Sequence, residues 1–453
     1  MSNTIQTVNP FNNQKLKEYT LYNDNQLEEI LKLSDTVFQE WQLKSVKSRV
    51  KLLDNVAQIL NDNLEEYSQL MTSEMGKPIS QSRSEIEKCI WLCDFYRKNG
   101  DRFLSDDLIE TEAKESFISY DPLGTILAIM PWNYPFWQVM RFALPTLTAG
   151  NTALLKHASN VTGCALIIED IFEKAGYPKG AFQTLLTDHN KIEAMIGDDR
   201  IKAVSLTGSE KAGRKIAEVA GKHLKKAVLE LGGNNACVVL ADADLDTYLE
   251  VMVNARMQNT GQSCIAAKRF IVEEKIYDKF LKRFTKMVKD LKEGDPSKDS
   301  TKMAVLARPD LAETLKEQVE ASLKQGAKVH YGNKQDKAYY EPTIITDVTP
   351  GMPIFDEETF GPVAAIIKVK NKKEAYQMLS NTRFGLGTML FSEDTEDAKK
   401  HIAHVGDGAF FINEMVKSDP RLPFGGTRAS GYGRELSKEG IMEFVNKKTV
   451  FIK

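Results

Sequence analysis

The sequence has few of the residues that metal sites and disulfide frameworks need. It contains five cysteines and six histidines in 453 residues. An odd number of cysteines in a long chain argues against a disulfide framework and predicts a reducing compartment, the cytoplasm. Cys89 and Cys93 lie one helical turn apart without a nearby histidine, and His401 and His404 lack a third ligand. No metal site is therefore expected.

The sequence also lacks the features of exported, membrane-bound and nucleic-acid-binding proteins. Residues 1–6 contain neither a basic region nor an apolar one, so no secretory signal is predicted. No apolar run approaches the ~18 residues that a transmembrane helix needs. The formal net charge is −3, and the short basic patches are interleaved with acidic segments. We expect neither nucleic acid nor a membrane as a partner.

A glycine fingerprint for dinucleotides is absent as well. No Gly-x-Gly-x-x-Gly follows a predicted strand. Residues 207–213, Thr-Gly-Ser-Glu-Lys-Ala-Gly, superficially resemble a phosphate-binding P-loop, but Arg214 and Lys215 stand where Lys and Ser/Thr are required. This excludes a nucleoside triphosphatase. A glycine turn at a helix N-terminus can still bind a pyrophosphate through its N–H groups and the helix dipole.

What the sequence does contain is an alternation of short apolar runs with helical stretches. Residues 25–100 have helical periodicity. Strands are then predicted at 125–130, 152–155, 203–206, 236–240, 269–272, 364–368 and 409–412, and helices between them at 161–175, 213–220 and 277–291. Strand–helix alternation predicts an α/β fold with parallel sheets covered by helices on both faces. A chain of this length is expected to form two or three structural units.

The most informative segments carry one thiol and one carboxylate. Cys264 ends the polar segment Asn-Thr-Gly-Gln-Ser-Cys, where a structural cysteine would usually have apolar neighbours. Glu230 begins the turn Glu-Leu-Gly-Gly directly after the apolar residues 227–229. A thiol and a carboxylate on two glycine-containing turns are typical of a nucleophile and its general base. Cys164, Cys237, Cys89 and Cys93 lie in helix or strand patterns and are predicted to be core residues.

These segments belong to a series that extends along the chain. The sequence resembles the aldehyde dehydrogenase superfamily over essentially its whole length, and is closest in pattern to bacterial members that oxidise succinate semialdehyde. One departure, His157 where the family usually has proline, is shared with a branch of those members. The motifs occur in the family's order: Pro-Trp-Asn at 131–133, Leu-Leu-Lys at 154–156, Leu-Thr-Gly-Ser at 206–209, Glu-Leu-Gly-Gly at 230–233, Gly-Gln-Ser-Cys at 261–264, Glu-Thr-Phe-Gly-Pro at 358–362 and Pro-Phe-Gly-Gly at 423–426.

The resemblance implies a division into three units. These are a Rossmann-like cofactor domain, an α/β catalytic domain and a small β unit for oligomerisation. The expected ranges are 1–113 and 124–230 for the cofactor domain, to which 425–439 returns, then 231–424 for the catalytic domain, and 114–123 with 440–453 for the oligomerisation strands. A homodimer or homotetramer is expected.

The resemblance also implies a mechanism. A thiolate of Cys264 would form a thiohemiacetal with an aldehyde, from which a hydride can leave and give a thioester. Asn133, with the backbone N–H of Cys264, would stabilise the oxyanion. Glu230 would activate the water that hydrolyses the thioester, and Glu435 matches a residue proposed to relay protons. Relatives that transfer the acyl group to coenzyme A typically lack the glutamate, so Glu230 favours hydrolysis.

For the cofactor, the resemblance implies NADP or NAD. Ser159 stands where NAD-preferring relatives often have a glutamate that repels the 2′-phosphate, so NADP is expected to be used at least as well as NAD. Lys156 and Glu358 would hold ribose hydroxyls, Ser209 the diphosphate, and Phe360 would lie against the nicotinamide. The expected cofactor residues are Trp132, Lys156, Ser159, Gly208, Ser209, Gly213, Leu231, Glu358 and Phe360.

The expected substrate is a small aldehyde with a distal carboxylate, first of all succinate semialdehyde. Arg141 is predicted to lie two turns along a helix, facing the substrate entrance, and to bind the carboxylate with help from Ser418. Some of the similar members have a second arginine where this sequence has Gln258, and Arg421 is a candidate replacement. The alternatives are another small aldehyde, a cysteine hydrolase or acyltransferase, and a catalytically silent scaffold.

Overall fold

The computed structural model describes residues 4–453; residues 1–3, with which the segment analysed for a secretory signal begins, lie outside the described residues. The strands are β1 Thr4–Val8, β2 Lys15–Thr20, β3 Asp107–Leu108, β4 Glu115–Pro122, β5 Thr125–Met130, β6 Thr152–His157, β7 Phe182–Thr184, β8 Ile201–Thr207, β9 Lys226–Glu230, β10 Asn235–Val239, β11 Ala267–Glu273, β12 Lys328–Tyr331, β13 Gln335–Asp336, β14 Tyr339–Tyr340, β15 Thr343–Thr346, β16 Val363–Val369, β17 Thr388–Phe391, β18 Phe410–Ile412, β19 Gly431–Tyr432 and β20 Val445–Ile452.

The helices alternate with these strands over most of the chain. They are α1 Asp24–Trp41, α2 Val46–Asp62, α3 Leu64–Met75, α4 Ile79–Phe103, α5 Trp137–Ala149, α6 Thr162–Lys174, α7 Ile192–Gly197, α8 Glu210–Lys222, α9 Leu245–Met257, α10 Glu274–Lys289, α11 Pro309–Lys324, α12 Pro353–Asp356, α13 Lys372–Ser380, α14 Thr395–Lys400 and α15 Ser437–Met442.

Two parallel sheets organise the molecule. The first has the order β19-β9-β8-β5-β6-β7, and the second has the order β12-β15-β16-β11-β10-β17-β18. Only the edge strands β19 and β12 run antiparallel to their neighbours. The central strands β5 and β10 are buried along almost their whole length, as is typical of parallel sheets whose two faces are covered. The predicted α/β fold is confirmed.

The predicted strands and helices lie where expected, with small differences at their ends. Strand β5 has the predicted bounds. Helix α8 begins three residues before the predicted Gly213, because the hydroxyl of Ser209 accepts a hydrogen bond from the N–H of Ala212 (3.3 Å) and caps the helix there. After β12 the chain forms a short hairpin, in which β13 pairs antiparallel with β14.

A third, smaller sheet has the order β20-β4-β3. Strand β4 lies between the two others and β20 forms an edge. The sequence assigned 114–123 and 440–453 to this unit; in the structure β3 also belongs to the sheet, and residues 440–442 are the end of helix α15, so that strand β20 begins only at Val445. Several apolar side chains on the sheet are exposed, among them Leu108, Phe451 and Ile452.

The ends of the parallel strands place the candidate site. Glu230 is the last residue of β9, at the carboxyl end of a strand of the first sheet, whereas the loop with Cys264 leads into the amino end of β11 in the second sheet. In open parallel sheets, ligands bind beyond the carboxyl ends of the strands. The loop is also strained: Asn259 and Thr260 have φ angles of 54° and 53°, which are rare for residues other than glycine and costly for a β-branched one.

Candidate active site

A cavity of about 690 Å³ brings several of the predicted residues together. Cys264, Arg141, Ser418 and Gln258 all line it, with aromatic walls that include Trp137. A concave, partly aromatic site with a few polar groups is typical of small-molecule binding. The cavity therefore joins the predicted nucleophile to the predicted carboxylate-binding residues.

Cys264 is half-buried and lies at this cavity. Burial raises the pKa of its thiol to about 11, while the positive charges of Arg141 and Lys268 act in the opposite direction. A Cβ atom on Gly233 would lie 2.7 Å from the carbonyl oxygen of Cys264. Glycine is thus required where the Glu230 turn approaches the cysteine loop. The thiol is largely protonated near neutral pH and needs a base or a nearby charge to react.

Glu230 is buried, and neither of its carboxylate oxygens has a hydrogen-bond partner within residues 4–453. Burial, reinforced by the negative charge of Glu435, raises the pKa of Glu230 well above its usual value. A Cβ atom on Gly425 would lie 2.6 Å from Oε1 of Glu230. The carboxyl group can therefore exchange a proton much closer to neutral pH than an exposed glutamate.

Arg141 and Glu435 form a buried ion pair through Nε and Oε2. Nη2 of Arg141 also donates to Oγ1 of Thr207 (3.3 Å), and the guanidinium lies 4.6 Å from the ring centre of Phe424. Burial raises the pKa of Glu435, and Arg141 opposes that shift. The sequence placed Arg141 at the substrate entrance. The side chain does line the cavity, but it is only 2% exposed and its charge is already balanced by Glu435.

Asn133 lies next to the cysteine loop. Its Nδ2 donates to the carbonyl of Gln262 (3.0 Å), and its Oδ1 accepts from Nε2 of Gln138 (3.0 Å). Asn259 donates from its side chain to the Asn133 carbonyl (2.8 Å) and so connects the same loop to it. An amide nitrogen carries two hydrogens, and one of those on Asn133 is left for a further acceptor.

Lys268, which the sequence analysis did not single out, binds the carbonyl groups of the cysteine loop. Nζ of Lys268 donates to the carbonyls of Ser263 (2.8 Å) and Cys264 (2.7 Å), and lies 3.2 Å from Oε1 of Glu358. Oε1 of Glu358 also accepts the N–H of Gly233 (3.0 Å). Burial lowers the pKa of Lys268, against the pull of Glu358. A lysine inside the buried run of β11 was the available signal, since lysines are seldom fully buried without a partner.

One group of predicted cofactor residues lies at the start of α8. Gly208 donates its N–H to the carbonyl of Glu230 (3.0 Å), and Ser209 caps the helix. A Cβ atom on Gly213 would lie 2.5 Å from Leu231, so glycine allows the helix to approach the Glu230 turn. A helix N-terminus can bind a diphosphate, and the assignment of Gly208 and Ser209 to that group stays a prediction.

A second group lies at the carboxyl end of β6 and in the turn that follows it. Lys156 is buried, and its Nζ donates only to the carbonyl of His157 (3.1 Å); within residues 4–453 no carboxylate forms an ion pair with it. Burial lowers the pKa of Lys156. Ser159 is exposed in the following turn. An unpaired buried cation beside an exposed hydroxyl fits an anionic or hydroxylated ligand.

The remaining predicted residues have other surroundings. Trp132 and Phe360 contact each other edge to face, with ring centres 5.7 Å apart. Oγ of Ser418 accepts hydrogen bonds from Nε1 of Trp137 and Nζ of Lys88, both at 2.9 Å. Arg421, the candidate replacement for a second arginine, is not at the cavity: it is exposed and forms an ion pair with Asp419.

The other cysteines and the departure at His157 are structural. Cys89, Cys93, Cys164 and Cys237 are fully buried, as predicted, and all five cysteines are free. Nε2 of His157 contacts the carbonyl of Pro135 (3.0 Å), and burial lowers the pKa of the ring to about 4. The neutral imidazole thus holds the segment that carries Asn133.

Comparison with known proteins decides the family. Over residues 1–450 the sequence matches the aldehyde dehydrogenase family. The chain belongs to the aldehyde dehydrogenase family. It is 47% identical to a probable succinate-semialdehyde dehydrogenase (NADP(+)) of Synechocystis sp., over 99% of each chain. It is 43% identical to the succinate semialdehyde dehydrogenase (NAD(P)+) Sad of Escherichia coli, over 98% of this chain and 97% of that one.

Solved structures of aldehyde dehydrogenases have the same fold. The succinic semialdehyde dehydrogenase of Streptococcus pyogenes, crystallised in complex with NADP+, is 37% identical and aligns with a TM-score of 0.96 over 99% of each chain. The betaine aldehyde dehydrogenase of Staphylococcus aureus, crystallised with NAD+, is 26% identical and aligns with a TM-score of 0.95 over 99% of this chain and 92% of that one. The resemblance predicted from the motifs is confirmed.

Proposed function

We propose that this aldehyde dehydrogenase oxidises succinate semialdehyde to succinate, and that it uses NADP at least as well as NAD. The observation that carries the proposal is the shared cavity of Cys264, Arg141 and Ser418, in which a thiol and a cationic end face the same space. The relatives named above as succinate-semialdehyde dehydrogenases support it over nearly the whole chain.

The chemistry begins at Cys264. Its sulfur adds to the aldehyde carbon, and its thiol proton passes to solvent as the S–C bond forms. The oxyanion of the thiohemiacetal accepts hydrogen bonds from Asn133 and from the N–H of Cys264. When bound, the nicotinamide cofactor supplies the acceptor for the hydride that leaves this carbon. The carbonyl is then restored as a thioester of Cys264.

Glu230 completes the reaction. Its raised pKa lets it take a proton from a water molecule near neutral pH. That water adds to the thioester carbon, the C–S bond breaks, and the carboxylic acid and the Cys264 thiolate are released, while the proton remains on Glu230. Glu435 lies near enough to influence the pKa of Glu230, and we propose that it passes the proton onward.

The cofactor preference is assigned to the turn after β6. A glutamate at position 159 would oppose a 2′-phosphate, whereas the exposed Ser159 hydroxyl can donate to it, and the unpaired ammonium of Lys156 attracts it. The diphosphate is assigned to Gly208 and Ser209 at the start of α8, and the nicotinamide side to Phe360. Trp132, Gly213, Leu231 and Glu358 complete the proposed set.

We further propose the division into a cofactor domain, a catalytic domain and a small β unit, with assembly into a homodimer or homotetramer through the β unit. A cytoplasmic location is proposed from the five free cysteines, which fit a reducing compartment. No helix within residues 4–453 is both long enough and apolar enough to span a membrane.

A panel of aldehydes assayed with both cofactors tests the function. Succinate semialdehyde, butanal and other uncharged aldehydes are supplied with NADP or NAD, and the reduced cofactor is followed by absorbance. We expect the highest kcat/KM for succinate semialdehyde with NADP. Cys264→Ala should abolish turnover and leave cofactor binding nearly intact, because the thiol is the covalent group. A higher kcat/KM for an uncharged aldehyde would contradict the proposed substrate. Hydrolytic activity in the absence of NADP and NAD would indicate a cysteine hydrolase.

A further inference from the structure

Lys88 on α4 presents its ammonium group to the cavity that contains Cys264. Its Nζ donates to Oγ of Ser418 (2.9 Å) and lies 4.2 Å from the ring centre of Trp137. Trp137 donates to the same serine oxygen (2.9 Å). The lysine is therefore held at a defined place on the cavity wall by α5 and by the segment after β18.

This ammonium has no anionic partner. No carboxylate in the described part of the chain forms an ion pair with Lys88; its contacts are a hydroxyl and an aromatic ring. Arg141 differs, because Glu435 already balances its charge. A cation removed from water without a counter-ion is costly, and a cation–π contact compensates only part of the cost. Lys302 also lines the cavity but is exposed to solvent, whereas Lys88 is half-buried and no ion pair within residues 4–453 compensates its charge.

We infer that Lys88 is a second counter-ion of the substrate's distal carboxylate, beside Arg141, with Ser418 as the group that positions it. The inference rests on the proposed function and extends it, since an aldehyde with a carboxylate at its far end would place opposite charge beside Lys88. Arg141 lines the same cavity and also balances Glu435. Lys88 takes the place of the second arginine that some similar enzymes have where this chain has Gln258, which lines the same cavity.

The protonation of Lys88 supports this assignment. Burial and, to a lesser extent, the positive charge of Arg141 lower the pKa of Lys88 to about 8, against the opposite effect of Cys89, Glu85 and Asp419. The charged groups that act on Lys88 thus come from α4 itself, from α5 and from the segment after β18. A bound carboxylate would favour the charged form. The free enzyme should therefore lose its preference for an anionic aldehyde as the pH rises past 8.

The test compares two substrates in one variant. Lys88→Met should lower the ratio of kcat/KM for succinate semialdehyde to that for butanal by about tenfold or more, mainly through KM, because one charge-assisted contact is lost. Lys302→Met is the matched control: it removes an exposed lysine that lines the same cavity and should leave the ratio unchanged. Lys88→Arg should retain most of the ratio.

A pH series provides a second readout. In the wild type the same ratio should fall between pH 7 and 9, and in Lys88→Arg it should stay level because arginine remains charged. Titration of Cys264 and Glu230 changes kcat/KM for both substrates in the same way, so its effect cancels in the ratio. If Lys88→Met loses activity on butanal through misfolding, the pH series of wild type and Lys88→Arg decides.

The outcomes separate the two proposals. If the wild type shows no preference for succinate semialdehyde over butanal, the proposed function fails. If the wild type shows the preference, and neither Lys88→Met nor the pH series changes it by more than about threefold, the role of Lys88 is overturned while the function stands.

Discussion

Glu230 acquires its chemistry from its surroundings. Its carboxyl group is buried without a hydrogen-bond partner in the described chain and lies near a second buried acid, Glu435. Both features favour the protonated form, so the folded-state pKa lies above the unfolded value. As the pH rises through the unfolded pKa toward the folded one, this group therefore reduces the stability of the fold. The same shift makes it a proton acceptor in the range where the enzyme works.

Replacing Glu230 with Gln should separate the two halves of the reaction. An amide cannot accept the water proton, so the thioester on Cys264 should accumulate. We expect a burst of reduced cofactor of about one equivalent per active site, followed by a very slow steady state. Stopped-flow absorbance measures both phases. Loss of the burst would instead place Glu230 in the first half of the reaction, as the base for Cys264.

Arg141→Ala should affect both binding and chemistry. Without the guanidinium, Glu435 loses its ion-pair partner and its pKa should rise further, so kcat should fall for charged and uncharged aldehydes alike. KM for succinate semialdehyde should rise by about tenfold, since a cation also leaves the cavity, while KM for butanal should change little. Steady-state kinetics on both aldehydes measure the two effects. Equal changes in KM would show that Arg141 does not sense the carboxylate.

Ser159→Glu tests the residue assigned to the 2′ position. The added carboxylate would stand next to a 2′-phosphate, and such a like-charge contact costs ~1–3 kcal/mol near a protein surface. We expect kcat/KM for NADP to fall by about tenfold relative to that for NAD. Ser159→Ala, which adds no charge, is the control and should change the ratio much less. An unchanged ratio in the glutamate variant would assign the 2′ position to another residue.

At the scale of elements, the junction of α4 with α5 fixes the loop that carries Asn133. Oε1 of Glu85 accepts the N–H groups of Phe136 and Trp137, both at 2.9 Å, and thereby caps α5. Its other oxygen pairs with Lys77, which is fully buried. The carboxylate of Glu85 thus accepts hydrogen bonds from the N-terminus of α5 and also balances the charge of a buried lysine.

Glu85→Ala should therefore be strongly destabilising. It leaves the Lys77 ammonium buried and unpaired, a loss of ~3–5 kcal/mol for a broken buried pair. Denaturant unfolding measures the change, and the activity of any folded protein should fall because Asn133 is displaced. Glu87→Ala removes an exposed glutamate from the same helix and should change stability by less than ~0.5 kcal/mol. Similar stability in the two variants would contradict the role of the Lys77–Glu85 pair.

At the scale of the whole molecule, the small sheet offers a surface for assembly. Strand β20 is an edge strand, with Phe451 and Ile452 exposed. An exposed edge with apolar side chains favours pairing with another chain. The proposed homodimer or homotetramer would cover it.

Phe451→Asp should shift the wild-type oligomer toward smaller species, because a carboxylate would be buried at the contact. Sedimentation velocity at several concentrations measures the distribution. Phe451→Tyr keeps the ring and should retain the wild-type assembly. A wild type that sediments as a monomer at all concentrations would refute assembly through this strand.

The sequence by itself determined the class of fold and the family, and it singled out the candidate reactive groups. Strands such as β5 could be predicted because their apolar runs are local features, and Cys264 and Glu230 because each lies in a short polar turn. The predicted site residues are spread along the chain, and only the family's motif order connected them. The periodicity of apolar residues along the chain does not reveal which side chains come into contact in the folded protein.

Only the tertiary structure decided the electrostatic partners. Arg141 was predicted to face the substrate entrance, but folding pairs it with Glu435, which lies far away in the sequence. Lys268 and Lys88 have ordinary local patterns, and their importance appears only once the cysteine loop and Ser418 are packed against them. The physical reason is that a charge's cost and pKa depend on burial and on neighbours within a few ångströms, which non-local packing supplies.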